Sequence, residues 1–289
     1  MNVRTILTPL SGGDSDSAVL DAALAIAQRF NAHIDVLHAR VDPREAVPFL
    51  GEGASGALIQ QIMEATQRDA STRATRARAA FDAWRKRAAI PLADMPDGAA
   101  PSVTWHEEVG PEDELVARRG RLSDLIVVPQ PSGEGGVVST VSFEAALLDT
   151  GRPVLAVPQK AGALALLEEG PALIAWNGSI ESSRAIWAAL PFLSTARRVT
   201  ILSVMEGGTA ADAAQVRAYL GWHGIKAEVT MLDVKTSGVG AQVLAEAEAE
   251  QAGLLVMGAY TRSRLRRMVF GGVTEHVLAN AQLPVLMVH

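Results

Sequence analysis

The chain is written twice. Gly151–Pro158 (GRPVLAVP) returns as Gln282–His289 (QLPVLMVH), and each follows an apolar run, Asp124–Pro129 (DLIVVP) and Gly253–Gly258 (GLLVMG). The openings correspond as well. Val3–Pro9 (VRTILTP) runs into Ser, Gly and Asp, and Ala172–Trp176 (ALIAW) runs into Asn-Gly-Ser. An internal repeat constrains the fold more than any single motif, because each copy must be one packing unit that meets its neighbour in a repeated way. The 289 residues divide into two such units of ordinary domain size, 1–158 and 171–289. The connector 159–170 contains ALALLEE, which predicts a helical turn.

Inside each copy, short β-branched runs alternate with helical patterns, which points to βαβ units and a parallel sheet. The second copy predicts strands at 171–176, 199–205, 226–232, 253–258 and 284–289, with helices near 180–195, 210–223, 239–252 and 273–281. Ile186, Leu190 and Leu193 recur at helical steps, as do Val239, Val243, Leu244 and Ala247. The first copy predicts strands near 3–9, 33–40, 102–106, 124–129 and 153–158. Its second helix is far longer, about 56–89. Met63, Thr66, Ala70, Ala74, Ala77, Phe81, Trp84 and Ala88 form that helix's inner stripe. The expected class is α/β: two doubly wound domains, each a five-stranded parallel sheet with helices on both faces. Ligands in such sheets sit at the carboxyl ends of the strands.

Composition removes several chemistries. With no cysteine there is no disulfide, thiolate zinc site, iron–sulfur ligation or cysteine nucleophile, and the usage fits a reducing compartment. A net charge of −6 argues against a nucleic-acid binder. The N-terminal MNVRTILTPL lacks the shape of a cleavable signal, and no apolar run approaches the roughly 18 residues of a membrane span. The expectation is a soluble, cytoplasmic protein.

Most apparent motifs dissolve on inspection. Gly51, Gly53 and Gly56 spell G-x-G-x-x-G, but they follow the proline-punctuated 42–48 rather than a buried strand, so the reading is a loop. Ser55 sits outside any nucleophile elbow, and no P-loop occurs. The six histidines show no metal-binding pairing, and His38 reads as a hydrogen-bonded structural residue. Arg68, Arg73, Arg76, Arg78, Arg85, Lys86 and Arg87 crowd the long helix, offset only by Glu64, Asp69 and Asp82. They read as a solvated or interdomain face.

One segment rises above this background. From Met257 to Leu278 the chain leaves a strand's carboxyl end, passes Arg262, Arg264, Arg266 and Arg267, and enters a helix through Gly271, Gly272 and Thr274. Adjacent glycines free consecutive amides to face an anion, a hydroxyl adds a donor, and the helix dipole favours negative charge. The same glycines could instead serve only to turn the loop into its helix; spacing alone leaves both readings open.

These residues resemble the universal stress protein (UspA-like) family in its tandem form, and the likeness runs over nearly the whole chain. The family's nucleotide binders carry G-x-x-G, nine residues, then G-[S/T]. Here Gly258 and Gly271 match the first and third glycines, while Thr261 and Gly272 replace the second glycine and the Ser/Thr. The family's D-G-S after the first strand becomes Asn177-Gly178-Ser179, an amide in place of a charge. The first copy departs further: Pro129-Gln130-Pro131-Ser132 stands where the signature would start, Gly135-Gly136 comes too early, and Thr8-Pro9-Leu10-Ser11 lacks the aspartate.

The resemblance implies an adenine nucleotide such as ATP, with Mg2+ as its companion, bound in the second copy. Asn177 and Gly178 would lie on the nucleoside side and Val204 would line the base. Gly258, Arg262, Arg264, Gly271, Gly272 and Thr274 would hold the phosphates. It also implies pairing of the two copies through their last strands, 153–158 and 284–289, as an intramolecular pseudo-dimer with scope for a homodimer and a protein partner. An exposed apolar edge strand gives that pairing a physical reason. Three functions follow: a regulatory, stress-responsive nucleotide binder; a module acting by protein contacts without nucleotide; and, least supported, a slow ATPase. For the last, Glu275 is the only carboxylate near the loop, and an acid in a helix's first turn usually serves the dipole.

Overall fold

A computed structural model describes residues 2–46, 56–93, 100–131, 137–158, 170–205, 210–234, 236–259 and 272–289. The connector 159–169, the motif residues 51–55 including Ser55, Ser132 with Gly135-Gly136, and the loop residues Thr261, Arg262, Arg264 and Gly271 lie outside them. The first half runs β1 (Thr5–Pro9), α1 (Asp16–Phe30), β2 (His33–Arg40), α2 (Gly56–Ala88), β3 (Ser102–Val109), α3 (Glu112–Gly120), β4 (Leu125–Pro129), α4 (Val137–Asp149) and β5 (Val154–Val157). The second runs β6 (Ala172–Trp176), α5 (Ile180–Leu193), β7 (Val199–Met205), α6 (Ala210–Trp222), β8 (Ala227–Asp233), α7 (Val239–Ala249), β9 (Leu254–Gly258), α8 (Val273–Asn280) and β10 (Val285–Val288).

Local chemistry sets the element ends. In α1 the buried Val19, Leu20, Ala22, Ala23, Ile26 and Ala27 follow helical spacing, and the helix stops at Asn31, whose left-handed backbone (φ 51°) turns its N–H onto Ala27 O. In α5 the Ser179 hydroxyl caps the first turn by accepting from Ser182 N–H at 3.0 Å. The long α2 forms as its stripe predicts: Ala70, Ala77, Phe81 and Trp84 are buried, and most of its cations face outward.

The two expected five-stranded sheets join through their last strands into one ten-stranded sheet. Its order is β3-β2-β1-β4-β5-β10-β9-β6-β7-β8, parallel within each half and antiparallel at β5–β10, where Val154, Leu155 and Ala156 face Met287, Leu286 and Val285. One face is covered by α1, α2, α5 and α6, the other by α3, α4, α7 and α8, and each apolar layer runs through both halves. The junction is reinforced on both faces. Phe30 of α1 meets Phe192 of α5 edge-on, with ring centroids 5.4 Å apart. Arg29 lies over both rings and donates to Phe192 O at 3.1 Å. On the other face Gln130 Nε2 donates to Leu283 O at 3.1 Å. Among the described residues no helix is long and apolar enough to cross a membrane.

Leu155 and Leu286 sit opposite each other at this junction and are wholly buried. Leu286→Ala is expected to lower unfolding stability by about 2–5 kcal/mol, measured by urea denaturation, because it opens a cavity where the halves join.

Candidate functional site

The antiparallel junction leaves each half with its own set of strand ends, and the strand order reverses between β1 and β4 and again between β6 and β9. A doubly wound sheet opens its ligand crevice at such a reversal. In the second half the register brings the expected residues together. Trp176 pairs with Ser203 and Ala175 with Met257, so Asn177, Val204 and Gly258 each stand at or just past the carboxyl ends of three neighbouring strands. Gly178 follows with φ +75°. At the far side of the sheet's end, Gly272 caps α8 through its backbone alone, and Thr274 is buried in the first turn.

Two of these glycines have different jobs. A Cβ on Gly258 would lie 2.5 Å from Ser182 N and 2.7 Å from Glu181 C, so this glycine lets the start of α5 settle onto the end of β9. A Cβ on Gly272 would meet no described atom within 4 Å. Asn177 turns inward on its own loop, its Oδ1 accepting from Ser179 N–H at 3.1 Å, which leaves the amide NH2 as its outward donor. Val204 packs partly into the layer under α7 and α8.

The first half has the same frame with its crevice closed. Ile6 and Ala172 occupy matching places, opposite Leu125 and Leu254, so Gly12 matches Gly178 and Asp16 matches Ser182. Gly12 keeps the positive φ, +80°, but a Cβ there would lie 2.5 Å from Arg73 O, because α2 crosses directly over it. In the second half a Cβ on Gly178 meets no described atom within 4 Å. The loop amides of the first half are also occupied: Ser11 N–H and Gly12 N–H donate to the Asp16 carboxylate at 3.2 and 2.9 Å. The matching Ser182 is a hydroxyl that donates to Ser179 O at 2.9 Å.

Beneath α2 lies a group of buried polar side chains that the sequence did not single out. Burial pushes the Asp16 carboxyl up to about 6 against the pull of its backbone donors, and burial likewise pushes Glu112 up to about 6 although the Ser142 hydroxyl donates to it. His38 is buried as expected, holds Leu10 O at 2.8 Å through Nδ1, and burial lowers its pKa. Arg73 departs in part from the outward cationic face: it pairs with Asp69 on its own helix at 2.8 Å while lying beside His38 and Glu112. The helix's other cations conform, with Arg78 on Asp82 at 2.9 Å and Arg87 reaching Asp21 of α1 at 2.7 Å. A larger cavity of about 640 Å3 lies along the first turns of α2, lined by Pro43, Ile59 and Met63 and next to the undescribed 47–55; it contains none of the expected site residues. Among the described residues no cluster of three His, Asp or Glu could hold a metal.

Fold and strand order together define an α/β protein of the doubly wound class. Residues 194–289 match the universal stress protein family. The whole chain superposes on a universal stress protein from Archaeoglobus fulgidus DSM 4304 with a TM-score of 0.65 at 18% identity, covering 99% of this chain and 96% of that one. It superposes on a functionally unknown protein from Pseudomonas aeruginosa PAO1 with a TM-score of 0.58 at 14% identity, covering 99% and 92%. No curated protein sequence matches. The family match thus rests on residues 194–289, and the full chain shares the fold of these solved structures.

Two outcomes check this geometry. Gly258→Ala is expected to cost about 1–3 kcal/mol of stability in a denaturant titration, since the new methyl strikes backbone, whereas Gly272→Ser is expected to be neutral or slightly stabilising. For the buried acid, the folded pKa of Asp16 lies above its unfolded value of 3.8. The native state therefore holds the proton more tightly, and this group's contribution falls as pH rises from about 4 to about 6. Asp16→Asn should remove roughly 3 kcal/mol of that loss, seen as a flatter stability profile between pH 4 and 7.

Proposed function

We propose that the chain is a cytoplasmic, stress-responsive regulatory protein that binds one adenine nucleotide, ATP or a relative, in its second half. The contrast between Gly12 and Gly178 carries this reading: identical turns at identical places, one roofed by α2 and the other open among the described residues. In the open crevice Asn177 and Gly178 would face the nucleoside, with the Asn177 amide donating to ribose or base, and Val204 would line the base. The phosphates would lie toward Gly258, Gly272 and Thr274, where a helix N-terminus favours an anion. The sequence adds Arg262, Arg264 and Gly271 from the intervening loop, which supply charge-assisted donors for phosphate oxygens. Mg2+ would come with the phosphates, since this ion keeps several waters and needs few protein ligands. Nothing in this set positions a water for attack, which favours regulation over turnover.

The second reading, a module acting by protein contacts alone, rests on one observation: Thr261 and Gly272 stand where the family signature has glycine and Ser/Thr. Calorimetry of nucleotide-stripped protein with ATP and Mg2+ separates the two. One site per chain is expected. Gly272→Val should abolish the binding heat while costing no more than about 1 kcal/mol of stability, because its side chain enters the ligand's space and weakens only a cap. Absence of heat from the unmodified protein at millimolar ATP would instead establish the nucleotide-independent reading.

A further inference from the structure

The single sheet has two outer edges, and the chain treats them differently. At β3 the segment 91–93 covers the start of the edge: Ala93 N–H donates to Val103 O at 3.1 Å, Val103 N–H donates to Pro91 O at 3.0 Å, and Leu92 is bridged to Val103. At β8 no described residue does the same. Natural edge strands are blunted by proline, bulges, inward lysines or brevity. β8, Ala227–Asp233, reads AEVTMLD: it has no proline or lysine, its two carboxylates Glu228 and Asp233 lie toward its ends, it runs for seven residues, and every one of them is at least partly exposed. The helix packed on it is exposed too. On α6, Trp222 is 90% exposed and Tyr219, one turn earlier, is 38% exposed. Large aromatics left in water beside an open edge mark an interaction surface.

We propose that this edge takes a second copy of the chain, with the two β8 strands antiparallel across a two-fold axis at Thr230 and the two α6 helices flanking it. The molecule already uses this device at its centre, where an antiparallel strand pair of three residues is flanked by helices α1 and α5 touching through Phe30 and Phe192. The β8 edge offers more than twice that length, and its helix offers Tyr219 and Trp222 in place of the phenylalanine. A two-fold perpendicular to the sheet must pass through a residue, because directly opposed residues share a face. Centred on Thr230, it opposes Thr230 to its own copy, Val229 to Met231, Glu228 to Leu232 and Ala227 to Asp233. No carboxylate faces another, and β-branched and apolar residues meet across the join, the pairs that stabilise a sheet. An extended peptide would satisfy the strand but leave both aromatics in water; a second copy covers strand and helix together. The interface is isologous and closes on itself, so it stops at two chains.

Sedimentation velocity of the full chain between about 1 and 200 µM tests this, a range that brackets the affinity of a modest interface. A reversible monomer–dimer equilibrium is expected. Trp222→Glu, at a site too exposed to affect folding, should raise the dimer Kd by about tenfold or more, as should Thr230→Lys on the strand. Thermal melts by circular dichroism at low concentration should show both variants folded. A chain monomeric throughout, or a dimer whose Kd moves by less than about threefold in folded Trp222→Glu, would overturn the proposal.

Discussion

Three residue pairs hold the architecture together. Where Val154, Leu155 and Ala156 run antiparallel to Met287, Leu286 and Val285, two parallel sheets become one, and everything else takes its place from that join. It brings α1 against α5 on one face, lets the apolar layers run from half to half, and removes the two most hydrophobic edges from water. Parallel sheets need cover on both faces. Here eight helices provide it, four to a face, and the strand order follows from two doubly wound halves turned about the junction.

Given that frame, the two halves diverge through one element. In the first, the connection from β2 to β3 carries a helix of 33 residues, and in the second the equivalent helix has 13. The extra length lays α2 across the crevice of its own half, presses the Arg73 backbone on Gly12, and buries Asp16, His38 and Glu112 at a cost in charge solvation. The short α6 does neither. It leaves the Gly178 crevice open among the described residues and leaves Tyr219 and Trp222 in water. One difference in helix length thus separates a half whose crevice is roofed from a half whose crevice is open among the described residues.

Much of this was readable beforehand. The repeat, the strands and helices and the pairing of last strands all follow from local pattern, and the observed boundaries fall within a few residues of those expected. His38 and the stripe through Ala70, Ala77, Phe81 and Trp84 were likewise visible, since helical periodicity and a strand-end histidine are local signals. The place of Arg73 was not, because it is one of seven cations on its helix and only the crossing over β1 sets it beside His38 and Glu112. Nor was the split between Gly258 and Gly272: both belong to one motif in sequence, yet one is demanded by the start of α5 and the other would bring a Cβ against no described atom.

By itself the sequence determined the class of fold and the twofold repetition, because periodicity acts over a few residues at a time. Which of two equivalent crevices stays open, and which of two sheet edges stays bare, was decided only in three dimensions. Both depend on where a helix of given length comes to rest on a sheet, and that is set by packing between residues far apart in the chain.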